Sequence, residues 1–130
     1  MRMSTSAMLA AMPRLRIIGN FGVGYDSIDV AAAARRGIVI TNTPDVLNEE
    51  VADYAVGLLL ATVREFYEAE RYLRSGRWAK EGEYRRSASL RDRRVGMVGF
   101  GRIGQAIARR LEAFGVPVVY FARNRRPEVP

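Results

Sequence analysis

The chain has 130 residues, 48% hydrophobic and 27% charged, enough for one compact core and short for two. It contains no cysteine and no histidine, which excludes disulfides, thiolate metal sites and imidazole acid–base chemistry from these residues. The formal charge is +7, with every basic residue except Lys80 an arginine, but no zinc-finger, helix-turn-helix or RNA-sheet signature accompanies the charge, so solvated surface plus one phosphate site is expected and nucleic acid is not.

The longest strongly apolar run, Tyr54 to Val63, is far too short to span a bilayer. Ala7 to Met12 is too short for a secretory leader. A cytoplasmic protein with no membrane or targeting segment is the expectation.

Leu15 to Gly19 predicts a short buried strand. A glycine-rich stretch, Asn20 to Tyr25, follows, and Asp26 can cap a helix over 27–36 that Gly37 ends. Ile38 to Thr41 predicts a second strand, closed by Asn42-Thr43-Pro44. Strand, helix and strand in this order form a βαβ unit and imply a parallel sheet. The loop Asn20–Asp26 is either a plain turn or a set of amides that holds a carboxylate; its residues leave the two readings even.

After Pro44 the pattern changes to a helical one. Asn48 is a suitable N-cap, and Glu49 and Glu50 fall in the first turn, where the helix dipole favours them. Val51, Tyr54, Ala55, Leu58, Leu59 and Val63 form an apolar face. With Val56, Gly57 and Leu60 also small or apolar, this half is expected to be buried nearly all round. Beyond Arg64 the pattern is amphipathic, with Glu70 four residues before Arg74, and Gly76 ends it. One helix over 48–75 is predicted, of a kind that bridges domains or subunits. Residues 77–94 are polar, basic and aperiodic, an ordered excursion anchored by Trp78 and less strongly by Tyr84.

Val95 to Val98 predicts a strand that runs directly into Gly99-Phe100-Gly101-Arg102-Ile103-Gly104. A helix follows with Ile103, Ile107, Leu111 and Phe114 on one face; Gly115 stops it, and 116–121 is the next strand. This is the setting in which a G-x-G-x-x-G turn binds a dinucleotide, the alternative being a tight corner without a ligand. Gly99 permits the turn, Gly101 lets the backbone approach a pyrophosphate, and Gly104 lets helix and strand pack closely. The amides of Arg102 and Ile103 point at the phosphates from a helix N-terminus. An acid at the end of the following strand would select NAD through its ribose hydroxyls. None occurs between Tyr120 and Arg126, where Arg123, Asn124, Arg125 and Arg126 suit the 2′-phosphate of NADP instead. NADP is therefore expected over NAD, with Arg123 and Arg125 as phosphate ligands.

NFGVGYDSID at 20–29, RGIVITNTPDVLNEEVADYAVGLLLATVR at 36–64, SGRW at 75–78 and LRDRRVGMVGFGRIGQAIARRLEAFG at 90–115 together resemble the D-isomer-specific 2-hydroxyacid dehydrogenases, in that family's own order. Within the family the chain is similar to the glyoxylate/hydroxypyruvate reductase branch, which shares the TPDVL stretch and the arginine-rich end of the second nucleotide strand. The resemblance runs from about Leu9 to Arg126.

The resemblance implies an α/β fold of two domains with the active site in the cleft between them. Residues 1–44 would be the C-terminal part of a flavodoxin-like substrate domain. Residues 45–130 would open an incomplete, parallel-sheet Rossmann-type NAD(P)-binding domain. Pro44 would lie near the hinge, and the helix over 48–75 would help form the family's homodimer. The amides of Val23 and Gly24 would hold the substrate carboxylate. The implied reaction is hydride transfer between nicotinamide and a 2-oxo acid such as glyoxylate or hydroxypyruvate. The arginine, the His and the carboxylate that carry it in the family have no counterpart here. No catalytic residue or metal is assigned, the chain reads as a fragment, and the isolated 130 residues are expected to be inactive. The alternatives are a non-catalytic dinucleotide-binding or dimerisation module, or a relative of 2-ketogluconate reductase or phosphoglycerate dehydrogenase.

Overall fold

The chain divides into two units, Met1–Val46 and Leu47–Pro130, in a computed structural model that describes residues 5–124. In the first unit, β1 (Ile17–Gly19) and β2 (Val39–Thr41) pair in parallel, with Ile17 opposite Val39 and Gly19 opposite Thr41. Alternation along the strands turns Ile18 and Ile40 toward the core while Ile17 and Val39 stay exposed, so only one face of this sheet is packed. Helix α2 (Val30–Arg35) makes the crossover that a parallel pair requires. It begins later than the sequence predicts because Asp29, not Asp26, is its cap: Oδ1 of Asp29 accepts from the Ala32 amide at 2.8 Å. The stretch before the first strand, given no element above, forms α1 (Thr5–Ala11). Leu9 of α1 is buried with Ala33 and Ile38, and the Arg36 guanidinium donates to the carbonyls of Leu9 and Met12 at the end of that helix.

The second unit runs α3 (Asn48–Val63), α4 (Phe66–Arg74), α5 (Arg77–Glu81), β3 (Val95–Val98), α6 (Arg102–Glu112) and β4 (Val118–Phe121). The strands β3 and β4 are parallel, with Val95 opposite Val118 and Val98 opposite Phe121. Helices α3 and α6 pack together around a core of Val56, Leu90, Leu111 and Val116. Arg110 of α6 fastens the pair from outside, donating to Glu49 at 2.9 Å and to Asp53, and these carboxylates, Asp53 first, raise its pKa.

Four expectations are corrected here. The helix over 48–75 is two helices, because Glu65 takes a left-handed conformation (φ 54°) between α3 and α4. Its carboxylate accepts from the Tyr84 hydroxyl at 2.9 Å and from Arg85 at 2.8 Å, and Arg64 donates to Ser87 at 3.0 Å. The excursion over 77–94 therefore pulls the junction out of helical geometry. The first half of this stretch is not buried all round: Ala52 and Val56 are, but Tyr54 is 70% exposed and Leu58 about half. Asn48 is the first helical residue of α3 and Leu47 its cap, with no side-chain capping bond. Trp78 is half exposed, and the excursion is anchored by buried Leu90 and by Tyr84 packed against Tyr72.

Among the described residues no helix is long and apolar enough to cross a membrane, and no group of acidic residues is arranged to hold a metal ion. In each unit the carboxyl end of the first strand runs into a glycine-bearing turn beside the carboxyl end of its parallel partner, which is where ligands bind in such sheets.

Candidate functional sites

In the second unit the turn after β3 is fixed by backbone. The Gly99 amide donates to the Phe121 carbonyl at 2.8 Å, which ties the start of the turn to the end of β4. Gly99 itself sits at φ 93°, a conformation that disfavours any side chain. Gly101 caps α6 in an extended conformation, and its carbonyl accepts from the Gln105 amide at 2.9 Å. A Cβ on Gly104 would stand 3.0 Å from the Gly99 carbonyl oxygen, so only glycine lets α6 approach the turn this closely.

Phe100, which points inward from the turn and is buried, stacks on Tyr120 of β4 with ring centroids 4.2 Å apart. Sequence reading gave neither ring a role. The signal was available in the alternation along β4, which puts Tyr120 on the same face as the inward-pointing Val118.

A cleft of about 370 Å³ opens at this turn, lined by Val98 to Gly101 and by Phe121, Ala122, Arg123 and Asn124. It brings together four of the residues singled out by sequence: Gly99, Gly101, Arg123 and Asn124. Arg102, Ile103 and Gly104 form the first turn of α6 beside it and are not among its lining residues. Arg125 lies outside the described residues.

The chemistry of the cleft fits an anionic dinucleotide. Its lining has no carboxylate, it includes Arg123, and it abuts the positive end of the α6 dipole. Nothing lies within 4 Å of where a Cβ on Gly101 would stand, so a ligand can reach the backbone there.

In the first unit the loop after β1 carries Val23 and Gly24, both exposed. The Asn20 side chain donates to the carbonyls of Gly22 and Gly24, and the Asn42 side chain donates to that of Val23. Gly22 and Thr43 exchange two bonds of 3.0 Å, amide to hydroxyl one way and amide to carbonyl the other. A smaller cleft of about 220 Å³ between α4 and α5 includes Arg71 and Arg77, which are engaged by Glu68 and Glu81, and we assign it no ligand.

The family model described as D-isomer specific 2-hydroxyacid dehydrogenase, catalytic domain, matches residues 2–121. The chain belongs to this family. Among its relatives, a glyoxylate reductase of Thermococcus kodakarensis is 49% identical over 95% of this chain and 38% of its own length. A glyoxylate/hydroxypyruvate reductase of Arabidopsis thaliana is 47% identical over 94% of this chain and 39% of its own. The chain thus spans about two fifths of the curated relatives it matches.

Among solved structures, an NADPH-dependent glyoxylate/hydroxypyruvate reductase of Sinorhizobium meliloti, in complex with NADP and malonate, superposes with a TM-score of 0.84 at 59% identity. It covers 94% of this chain and 39% of that one. A 2-hydroxyacid dehydrogenase of Ketogulonicigenium vulgare superposes with a TM-score of 0.90 at 43% identity, covering 98% of this chain and 40% of that one. The α/β, parallel-strand class expected from sequence is therefore the fold of a 2-hydroxyacid dehydrogenase family member.

Proposed function

We propose that this chain supplies the cofactor-binding turn and the substrate-carboxylate loop of an NADPH-preferring reductase of glyoxylate or hydroxypyruvate. The observation that carries the proposal is the cleft in which Gly99 and Gly101 share one wall system with Arg123 and Asn124, with no carboxylate in its lining. In this reading the turn takes the pyrophosphate through backbone amides of Arg102 and Ile103, and Gly104 keeps α6 close enough for its dipole to act. Arg123 and Asn124 receive the adenosine ribose and its 2′-phosphate, and Arg125 is assigned to the same phosphate from the sequence. When bound, the nicotinamide cofactor supplies the hydride. Val23 and Gly24 hold the carboxylate of the 2-oxo acid through their amides. With no histidine in the chain, none of its residues is assigned the proton transfer to the carbonyl oxygen.

The same proposal makes residues 1–44 part of a substrate domain, 45–130 the opening of a nucleotide domain, and Pro44 part of the hinge. It also includes a cytoplasmic homodimer formed through the α3–α4 stretch. The helical spacing of exposed Val51, Tyr54 and Leu58, an apolar stripe along α3, supports that surface.

The test is a titration of the chain with NADPH and NADH. NADPH is expected to bind about tenfold or more tightly, as one lost charge-assisted hydrogen bond would predict, and Arg123→Asp to abolish the preference. Equal affinities in the parent would overturn the cofactor assignment. Glyoxylate added to the NADPH complex is expected to leave NADPH unoxidised; turnover by these 130 residues would mean that a residue present here donates the proton.

A further inference from the structure

The side chains of Asn20, which opens the first glycine loop, and of Asn42 and Thr43, just after β2, have no ligand-holding role in what is described so far. Their bonds follow one rule: every carbonyl from Gly22 to Gly24 has a donor. The Gly22 carbonyl accepts from Asn20 at 3.2 Å and from the Thr43 amide at 3.0 Å. The Val23 carbonyl accepts from Asn42 at 2.9 Å, and the Gly24 carbonyl from Asn20 at 3.0 Å. The amides of Val23 and Gly24, by contrast, donate to no acceptor among the described residues.

A trans peptide is planar, so its carbonyl and the next residue's N–H point in opposite directions. Anchoring the Gly22 carbonyl therefore aims the Val23 N–H away from the anchor, and anchoring the Val23 carbonyl does the same for the Gly24 N–H. The two planes differ in how they are held. The first is fixed by Asn20 and Thr43 together, and the Gly22 amide is also tied to the Thr43 hydroxyl at 3.0 Å. Among the described residues the second is fixed by Asn42 alone. Gly24 has no Cβ to restrain it, so without Asn42 that plane is free to rotate.

We infer that Asn20, Asn42 and Thr43 are positioning residues that aim the Val23 and Gly24 amides outward as a pair for one carboxylate. This rests on the reading of the loop as the carboxylate holder. None of the three touches the substrate; each acts through a peptide plane, and Asn42 governs the Gly24 amide specifically.

The experiment is a titration of the isotope-labelled chain with glyoxylate, followed by NMR at individual amides, in the parent and in Asn42→Ala, Thr43→Val and Thr43→Ser. In the parent the Val23 and Gly24 amides shift together and saturate. Asn42→Ala is expected to weaken glyoxylate about tenfold, the effect of one lost hydrogen bond to a charged group. It should reduce the response at Gly24 more than at Val23 and leave NADPH affinity unchanged. Thr43→Val keeps the side-chain shape and the Thr43 amide bond but leaves the Gly22 amide without its acceptor. It should therefore loosen the peptide plane before Val23 and weaken binding, and Thr43→Ser, which keeps the hydroxyl, should restore it.

Amides that do not move in the parent would overturn the carboxylate reading and this inference with it. Parent-like titration of Asn42→Ala, on a parent response that is present, would overturn the positioning role alone. If Asn42→Ala loses the dispersed signals of β1 and β2, the Thr43 pair decides: equal weakening by Val and Ser would count against the inference.

Discussion

The two glycine turns sit at equivalent places, the carboxyl ends of parallel strands. Each is tied to the neighbouring strand by one backbone bond of 2.8 Å, the Asn20 amide on the Thr41 carbonyl and the Gly99 amide on the Phe121 carbonyl, yet the chemistry added to that tie differs. The loop after β1 is braced by side chains at both strand ends, Asn20 from one and Asn42 and Thr43 from the other. The turn after β3 is closed instead by packing, the backbone of Gly104 against that of Gly99, with the Phe100–Tyr120 stack beneath. The cores differ in the same sense. Leu9, Ala33 and Ile38 make a small cluster in the first unit, while the second is centred on Leu111, the largest side chain fully buried among the described residues. A side-chain brace can be edited one bond at a time, whereas a methyl group at Gly104 meets the Gly99 carbonyl, a backbone group that has to shift to admit it. Under the proposed function, the first arrangement suits graded tuning of an anion subsite, and the second suits fixed presentation of one.

The largest effect is expected from emptying the larger core. Leu111→Ala should cost about 2–5 kcal/mol, the range for deleting a buried leucine side chain. Hydrogen exchange should show the loss in β3, β4 and α6 and not in β1 and β2. Equal loss of protection in both units would break the comparison, because it would mean that Leu111 supports the chain as a whole.

Next come two glycines of one turn that should differ in stability though both lose NADPH affinity. Gly101→Ala adds a methyl group where nothing lies within 4 Å, so the melting midpoint should hardly change. The methyl enters the cleft, however, and NADPH affinity should fall by about tenfold or more, as for an obstructed hydrogen bond to a charged group. Gly104→Ala puts the methyl 3.0 Å from a backbone carbonyl, so both the midpoint and NADPH affinity should fall. Loss of stability with Gly101→Ala, at unchanged NADPH affinity, would show that the open side of this turn is structural.

What could be read in advance divides along the same line. Strand, glycine turn and helix are local patterns, and the helix-ending glycines Gly37 and Gly115 both take positive φ where the sequence asks for a stop. Gly99, Gly101, Arg123 and Asn124 were legible because glycine spacing and strand periodicity bring them to one cleft. The break at Glu65 was not, because its cause lies about twenty residues on, in Tyr84 and Arg85, while the local pattern stays helical. The brace from Asn42 and Thr43 was hidden for the same reason. Their partners Val23 and Gly22 are reached only once β1 and β2 have paired, and nothing local marks a strand-end asparagine as a donor to another loop. Helix α1 was missed because its apolar residues are too few to show a period.

The smallest effect expected is an acid sensitivity confined to the first unit. Asp29 accepts from the Ser6 hydroxyl at 2.6 Å and from the Ala32 amide, and these bonds, Ser6 first, hold its pKa below the usual aspartate value against a weaker opposing desolvation. A carboxyl whose folded pKa is depressed contributes stability above its unfolded pKa, about 4, and loses it as pH falls through the folded value. The tie joins α1 to the start of α2, so protonation should loosen Leu9 from Ala33 and Ile38 in the pH range just below 4. Glu81 is also depressed, by Arg77, but that pair lies within α5 and reaches only the Tyr72 ring of α4, over which the Arg77 guanidinium stands. It does not reach the core of Val56, Leu90, Leu111 and Val116, so its titration should leave that core untouched. Ser6→Ala removes the largest cause of the Asp29 shift and should flatten the acid slope of the first unit's melting midpoint, followed between pH 6 and pH 3. A slope unchanged by Ser6→Ala would place the acid sensitivity elsewhere.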